Sequence, residues 1–415
     1  MKSWRAAILF GAAMTGAGIV GVESLPTVAA QMSEEATDVY EVVPNWPQPN
    51  PDRSRSLSRV GGIFAESPNR VYMFTNGYVP TEWLNGKDEG QPTWPRRGPQ
   101  SLGNCDEFGP APSPGPSESC DGKGVHVKGS RWEHILVAVD ASGKVVESWD
   151  HINGMIYDPH GLNINPYDPE RHLWLTDDYK EQIYKFTHDG KKLVMTLGTR
   201  MPGGIRAHQA GKHKTDDPAH LGGPNGIAFS PNGDIWVSDG YANYRVVHFS
   251  KDGKFLGQIG GTQGRAPGQF NTPHSVEVDS KGNVYVGDRG NFRVQFFDKD
   301  GNWKGGIEAV YPNALALSKD ERFLYVGQGG SNFRSEIRKY TVDGRFVQAW
   351  SRPRGVHPGE LWSIHDFTID SDGNLYVGQA YGSGAWKYRP KKGVTPNMLF
   401  GPLMKNSFRA PLSTR

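Results

Sequence analysis

A repeated four-strand unit restricts the fold of this chain more than any other feature of its sequence. Residues 224–239 form an alternating run, an Asn232-Gly233 turn and a second run rich in β-branched and aromatic residues, and residues 273–288 repeat this order. Each hairpin continues into a third run and then, after a Lys-Asp-Gly turn, into a fourth short run. Four antiparallel strands per unit predict one blade of a β-propeller.

The start of this unit recurs six times and predicts a six-bladed, all-β propeller over residues 59–390. The first positions of the six inner strands are Gly61, His160, Asn225, His274, Asn313 and His365. A Pro/Gly/Ser-rich insert at about 85–129 and a His/Lys-rich loop at 206–220 lengthen the two largest intervals. Residues 31–58 are predicted as an extended arm, in which 40–43 could complete the last blade, and 391–415 as a tail.

The N-terminus and the charge balance indicate where the protein works. Lys2 and Arg5 precede an apolar run at 6–20, and small residues follow at 28–30, as in a cleaved signal peptide spanning 1–30. The alternative is a membrane anchor, but the run is short and Gly-rich. We therefore expect a secreted or periplasmic protein with no membrane span after signal removal. A net charge of only +2 favours neither nucleic acid nor a membrane surface as a partner.

Only two cysteines occur in the chain, Cys105 and Cys120, and both lie in the insert. This number excludes a disulfide-stapled miniprotein and a multi-cysteine zinc or iron–sulfur protein. An oxidising compartment would allow Cys105 and Cys120 to form a disulfide, which would contribute about 3 kcal/mol on the chain-entropy model. The alternative is two free thiols.

Histidine occupies the first inner-strand position on alternate blades, at His160, His274 and His365. Equivalent positions of a propeller repeat lie at the same height, so the three imidazoles are expected to meet at the axis. Three neutral nitrogen ligands suit Zn²⁺ and leave a fourth position open, which is the catalytic arrangement. The alternative is that each histidine makes ordinary hydrogen bonds within its own blade.

Several short strings together resemble the peptidyl-α-hydroxyglycine α-amidating lyases, a family of NHL-repeat propellers. These strings are Pro159-His160-Gly161-Leu162, Ser238-Asp239-Gly240-Tyr241, Pro273-His274-Ser275, Asp288-Arg289 and His365-Asp366. The resemblance implies a six-bladed propeller with an axial zinc that splits a peptidyl hydroxyglycine into a peptide amide and glyoxylate. It places zinc on the three histidines and implies Tyr241 as the catalytic tyrosine.

The same resemblance implies two further site features. Arg289 would hold the substrate carboxylate, whereas a salt bridge to Asp288 or Asp239 is the alternative. A structural Ca²⁺ would be bound by the Asp366 side chain and by the main-chain oxygens of Ile63 and Leu162. The alternatives are a Tyr241 that merely packs on the propeller face and an Asp366 satisfied by backbone amides. The recurring Arg245 and Arg293 are predicted to belong to the blade architecture.

Two positions depart from the family pattern. Asn76 stands where the family has a second substrate-binding arginine, and Ser363 stands where it has a methionine two residues before the third histidine. The metal ligands are unaffected, but a substrate carboxylate would lose one of two cationic partners, with Asn76 supplying only hydrogen bonds. A different or relaxed substrate is therefore expected.

Three functions follow from this sequence. The first is an exported metal-dependent lyase acting on a small-molecule or peptide-terminal carbinolamide. The second is a zinc- or calcium-dependent propeller hydrolase resembling lactonases, although those usually centre on calcium with carboxylate and asparagine ligands. The third is a non-catalytic NHL-repeat binding protein, because a repeat fold alone does not define an activity.

Overall fold

Six antiparallel sheets of four strands each are present in the computed structural model of the chain, among the residues that it describes. Those residues are 38–49, 51, 55–80, 119–120, 126–127, 134–153, 155–199, 217–330, 333–380 and 384–408. They all belong to one unit, Ala36–Arg415, whereas the other unit, Met1–Glu35, lies outside the described residues. The inner strands contact one another in sequence, and the last contacts the first, so the sheets form a closed six-bladed propeller.

Each blade is a meander that starts at the axis and ends at the periphery. The strands of blade 1 are Val60–Ser67, Arg70–Thr75, Leu136–Val139 and Val145–Ser148; those of blade 2 are Pro159–Ile164, Leu173–Asp177, Gln182–Phe186 and Leu193–Leu197; those of blade 3 are Pro224–Phe229, Ile235–Asp239, Arg245–Phe249 and Phe255–Gly260. The strands of blade 4 are Pro273–Val278, Val284–Asp288, Arg293–Phe297 and Trp303–Glu308; those of blade 5 are Pro312–Leu317, Phe323–Gln328, Glu336–Thr341 and Phe346–Ser351; those of blade 6 are Ile364–Ile369, Leu375–Gln379, Ala385–Pro390 and the N-terminal Tyr40–Val42.

Short elements complete the described structure. Two small sheets pair Arg55–Leu57 with Tyr78–Pro80 and Ser119–Cys120 with His126–Val127. Single 3₁₀ turns occur at Asp150–Ile152, Arg289–Asn291 and Pro396–Met398. None of the helices in the described residues is long and apolar enough to cross a membrane.

The ring closes in blade 6, where an N-terminal strand pairs with the last strand of the propeller sequence. Tyr40 pairs with Pro390 and Val42 with Tyr388, so the N-terminal strand forms the outer edge of blade 6. The Tyr40 ring is fully buried and contacts Trp350 and Phe400, with ring centroids 5.8 and 6.1 Å apart. The sequence prediction that residues near 40–43 complete the last blade is confirmed.

The hydrophobic core lies between neighbouring blades. Almost every residue of the inner and second strands is buried, while most residues of the fourth strands are exposed or half-buried. Between blades 2 and 3, for example, Trp174 packs against Phe229 at 5.5 Å between ring centroids, and Ile227 and Val237 belong to the same cluster. This packing makes each inner strand rigid on both sides.

In several blades, a buried carboxylate at the end of the second strand accepts a hydrogen bond from the backbone just before the inner strand. This bond fixes where the inner strand begins. In blade 3, Asp239 accepts a hydrogen bond from the Gly222 N–H at 2.5 Å and pairs with Arg245 at 2.9 Å. Blade 4 repeats this arrangement with Asp288 and Arg293 at 2.8 Å. Arg245 and Arg293 therefore support the blades, as the sequence predicts.

Several sequence predictions fall outside the described residues. The signal peptide at 1–30, most of the insert at 85–129 and residues 206–216 of the His/Lys-rich loop all lie there. Cys105 is among them, so the Cys105–Cys120 disulfide stays a prediction.

Candidate metal centre

Three histidines from alternate blades meet at the propeller axis. His160, His274 and His365 each occupy the second position of an inner strand and are all buried. Their ring centroids are 4.7, 4.6 and 5.1 Å apart, and one possible ligand atom from each lies within 4.8 Å of the others. The repeat therefore places three imidazoles around one point, as the sequence predicts.

Hydrogen bonds to neighbouring blades fix the orientation of two of these rings, those of His274 and His365. His274 Nδ1 donates to the Asn313 carbonyl at 2.8 Å, and His365 Nδ1 donates to the Gly61 carbonyl at 2.7 Å. A nitrogen that donates to a carbonyl leaves the other ring nitrogen with its lone pair, so Nε2 is the available ligand atom. Glycine at position 61 lets the inner strands of blades 1 and 2 approach closely, because a Cβ there would lie 2.2 Å from the Pro159 carbonyl oxygen.

The electrostatic environment keeps the three imidazoles uncharged. Burial lowers the pKa of each well below its usual range, and the guanidinium groups of Arg59 and Arg289 lower it further. Neighbouring imidazoles add to the decrease for His160 and His274. Metal ligation requires neutral imidazole. The donor set therefore fits a transition metal held by three nitrogens.

Tyr241 lies directly against the histidine cluster. Its hydroxyl is 3.2 Å from His160 Nε2 and 3.5 Å from His274 Nε2. Burial raises the pKa of this phenol, while the positive charges of Arg289 and Arg59 oppose the increase. The hydroxyl therefore keeps its proton at neutral pH in a position where it can donate.

Arg289 reaches the same pocket from the residue after the second strand of blade 4. Its guanidinium lies over the rings of Tyr241 and Tyr311, 5.2 and 5.0 Å from their centroids. Its Nη1 atom donates a hydrogen bond to Asn313 Oδ1 at 3.4 Å. The alternative salt bridge to Asp288 or Asp239 is not formed, since those carboxylates pair with Arg293 and Arg245.

A second guanidinium in the pocket belongs to Arg59, which the sequence analysis missed. Arg59 is 8% exposed, and its guanidinium lies 3.2 Å from His365 Nε2 and 2.6 Å from Asp158 Oδ1. Asn76 also faces Asp158, at 3.5 Å from Nδ2, while the Oδ1 atom of Asn76 is buried without a hydrogen-bond partner. Arg59 and Asn76 thus share Asp158, so a guanidinium lies close to the position where the resemblance implies an arginine.

Asp178 adds a buried carboxyl group beside Asp158. Burial raises the pKa of Asp178 well above its usual range, and the negative charge of Asp158 raises it further. Its Oδ1 atom is buried and has no hydrogen-bond partner. The protonated form of Asp178 is therefore favoured, and its side chain hydrogen-bonds with Asp158.

The repeat itself contains the signal that would have located these residues. The positions that precede the six inner strands are Arg59, Asp158, Gly223, Thr272, Tyr311 and Ser363. The positions that follow the six second strands are Asn76, Asp178, Gly240, Arg289, Gly329 and Ala380. At both sets of positions, blades 1 and 2 carry polar or charged side chains, namely Arg59, Asn76, Asp158 and Asp178. They lie across the pocket from Arg289. Ser363, one of the positions that precede the inner strands, is buried.

The Asp366 side chain, which is the one carboxylate implied for calcium, is poorly suited to that ion. Asp366 Oδ2 accepts a hydrogen bond from the Ile63 N–H at 3.0 Å, so Ile63 presents a donor to this carboxylate. Asp366 Oδ1 accepts from the Phe367 N–H at 2.8 Å and from Lys405 Nζ at 3.3 Å. Calcium requires six to eight oxygen ligands, but the key carboxylate here is already surrounded by hydrogen-bond donors.

The chain is similar in sequence to several known proteins. The NHL repeat matches residues 221–249 and 270–297, in blades 3 and 4. The human NHL repeat-containing protein 3 is 32% identical over 213 residues, covering 48% of this chain and 57% of that protein. The rat peptidylglycine alpha-amidating monooxygenase is 31% identical over 271 residues, which cover 61% of this chain but only 25% of the relative.

A probable peptidyl-alpha-hydroxyglycine alpha-amidating lyase of Caenorhabditis elegans, pgal-1, is 30% identical over 255 residues, covering 59% of this chain and 67% of that protein. With its NHL repeats, its six blades and its axial histidines, the chain belongs to the peptidyl-α-hydroxyglycine α-amidating lyase family.

Proposed function

We propose that this protein is a zinc-dependent lyase that cleaves the C–N bond of an N-acyl-α-hydroxyglycine and releases an amide and glyoxylate. The observation that carries the proposal is the position of the Tyr241 hydroxyl, 3.2 and 3.5 Å from Nε2 of two convergent histidines. Two guanidinium groups flank this hydroxyl and lower its pKa against the effect of burial. Zn²⁺ held by His160, His274 and His365 would supply a Lewis acid that lowers the pKa of the substrate hydroxyl.

The two arginines would bind and orient the substrate carboxylate. Asp158 holds the Arg59 guanidinium at 2.6 Å, and the rings of Tyr241 and Tyr311 hold that of Arg289. Guanidinium groups bind carboxylates through two parallel hydrogen bonds, which also fix the direction of the bound group. The raised pKa of Asp178 favours its protonated form, which would not repel the substrate carboxylate.

Tyr241 would relay the proton that the reaction must move. As the C–N bond breaks, its electron pair goes to nitrogen, and the carbon–oxygen bond of the carbinol becomes the aldehyde of glyoxylate. The substrate hydroxyl loses one proton and the departing nitrogen gains one, so the reaction is balanced. A neutral phenol can donate its own proton to nitrogen while it receives the hydroxyl proton, which agrees with the raised pKa of Tyr241.

The test is product analysis with zinc-loaded protein. We expect α-hydroxyhippurate to yield benzamide and glyoxylate in equal amounts, and hippurate, which lacks the hydroxyl, to yield neither. A γ-lactone panel run in parallel examines the hydrolase alternative. Lactone opening without glyoxylate release would identify a hydrolase, and inactivity on both substrates would favour a binding protein.

Arg59 allows a separate prediction about substrate binding. Replacing Arg59 by methionine is expected to raise KM roughly 10- to 100-fold, because one charge-assisted contact to the carboxylate is lost. Metal content should stay unchanged. Arg70→Met is the control, since Arg70 pairs with Glu147 within blade 1 at 2.7 Å. An unchanged KM in Arg59→Met would show that Arg289 alone binds the carboxylate.

A further inference from the structure

The C-terminal tail closes one end of the axial channel. Its backbone bonds to blade 5 through Lys319 N–H to Pro402 O at 2.7 Å and Met404 N–H to Leu317 O at 2.8 Å. The Asn406 side chain bonds to Thr368 of blade 6 at 2.9 Å and also contacts the Ala65 carbonyl of blade 1. Since these contacts lie at the ends of inner strands farthest from the histidines, the tail forms the base of the channel.

Lys405 extends from this tail into the channel. Its side chain is 7% exposed, and Nζ lies 3.3 Å from Asp366 Oδ1. One cavity of about 60 Å³ is lined by the three histidines together with Glu277, Asp366 and Lys405. The ammonium is therefore enclosed in the same channel as the metal centre, on the side of the tail.

We propose that Lys405 is a built-in replacement for the structural calcium of the family, and that this propeller needs no calcium. Its ammonium neutralises Asp366 and joins blade 6 to the tail. Asp366 already accepts hydrogen bonds from the Ile63 and Phe367 N–H groups, so the site suits a singly charged donor rather than a divalent ion.

The other carboxyl group in the channel, that of Glu277, is consistent with one positive charge at Lys405. Burial raises the pKa of Glu277 to about 8, with Lys405 opposing the increase and Asp366 adding to it. Glu277 is therefore largely uncharged at neutral pH. One carboxylate and one ammonium then balance, whereas bound calcium would add two positive charges beside that ammonium.

Metal analysis and thermal unfolding of the full chain test this proposal. After dialysis against resin-treated buffer and loading with zinc alone, the wild type should contain about zero calcium per chain, and its Tm should not respond to 1 mM CaCl₂. Lys405→Met should lose roughly 5–10 °C in Tm, because a buried carboxylate loses its partner. Added CaCl₂ should restore part of that loss, since the vacated carboxylates can bind the ion. Lys405→Arg should retain most of the stability.

The matched control is Lys392→Met, which removes an exposed lysine near the start of the tail and should not change Tm. One calcium per wild-type chain, or a wild-type Tm that rises with calcium, would overturn the proposal. A Lys405→Met variant as stable as the wild type, or one destabilised without a response to calcium, would also overturn it. If that variant does not fold, the calcium content of the wild type decides the question.

Discussion

Replacing His274 by alanine is expected to empty the metal centre and abolish lyase activity. The site has three nitrogen ligands from three blades, and a site left with two holds zinc too weakly to survive dialysis. Elemental analysis should find about one zinc per wild-type chain and close to none in the variant. The fold should survive, because the inner strand of blade 4 is held on both sides by its neighbours.

The control for this experiment is His172→Ala. His172 lies with Asp168 and Glu170 in a second group of potential metal ligands on blade 2, and its Nδ1 is 2.6 Å from Asp168. If the axial histidines hold the metal, zinc content in His172→Ala will equal that of the wild type. Loss of zinc in this variant, with zinc retained in His274→Ala, would place the metal on blade 2 and remove the axial centre.

The second large effect is expected for Tyr241→Phe. This change removes the hydroxyl that faces two histidines but retains the ring beneath Arg289. We expect kcat to fall roughly 10²- to 10⁴-fold, as for loss of a group that transfers a proton in the transition state. KM, zinc content and Tm should change little.

Tyr244→Phe is the matched variant, because Tyr244 belongs to the same loop and packs between blades 3 and 4 instead of against the histidines. A kcat reduced equally in both variants would mean that Tyr241 supports the loop. Wild-type kcat in Tyr241→Phe would exclude the phenol from proton transfer.

The sequence predicts the ring of histidines well because the repeat determines position. A residue at a given place in the unit lies at a fixed height and faces a fixed direction, so His160, His274 and His365 converge without any knowledge of long-range contacts. The same frame, extended to the position two residues before that of the histidines, would have identified Arg59 and Asp158. Interpreting Asn76 as a lost positive charge was incomplete for this reason.

Contacts made outside the repeat were not predictable in this way. Lys405 enters the channel from a tail that follows no periodic pattern, and its partner Asp366 lies far away in sequence. The calcium implied by the resemblance rested on one side chain, that of Asp366, and on the main-chain oxygens of Ile63 and Leu162. The sequence shows which residue carries the carboxylate, whereas only the three-dimensional structure shows which cation faces it.

Pairing between Tyr40 and Pro390 also imposes an order of assembly. Blade 6 gains its outer strand only when both distant segments of the chain are available, and such remote pairings form late in folding. His365 lies on this blade. During synthesis, five blades could stack before the sixth is sealed, and until then only two imidazoles would have fixed positions. Zinc capture would thus follow closure of the ring, and a nascent chain would stay free of the ion until Tyr40–Val42 had paired with blade 6.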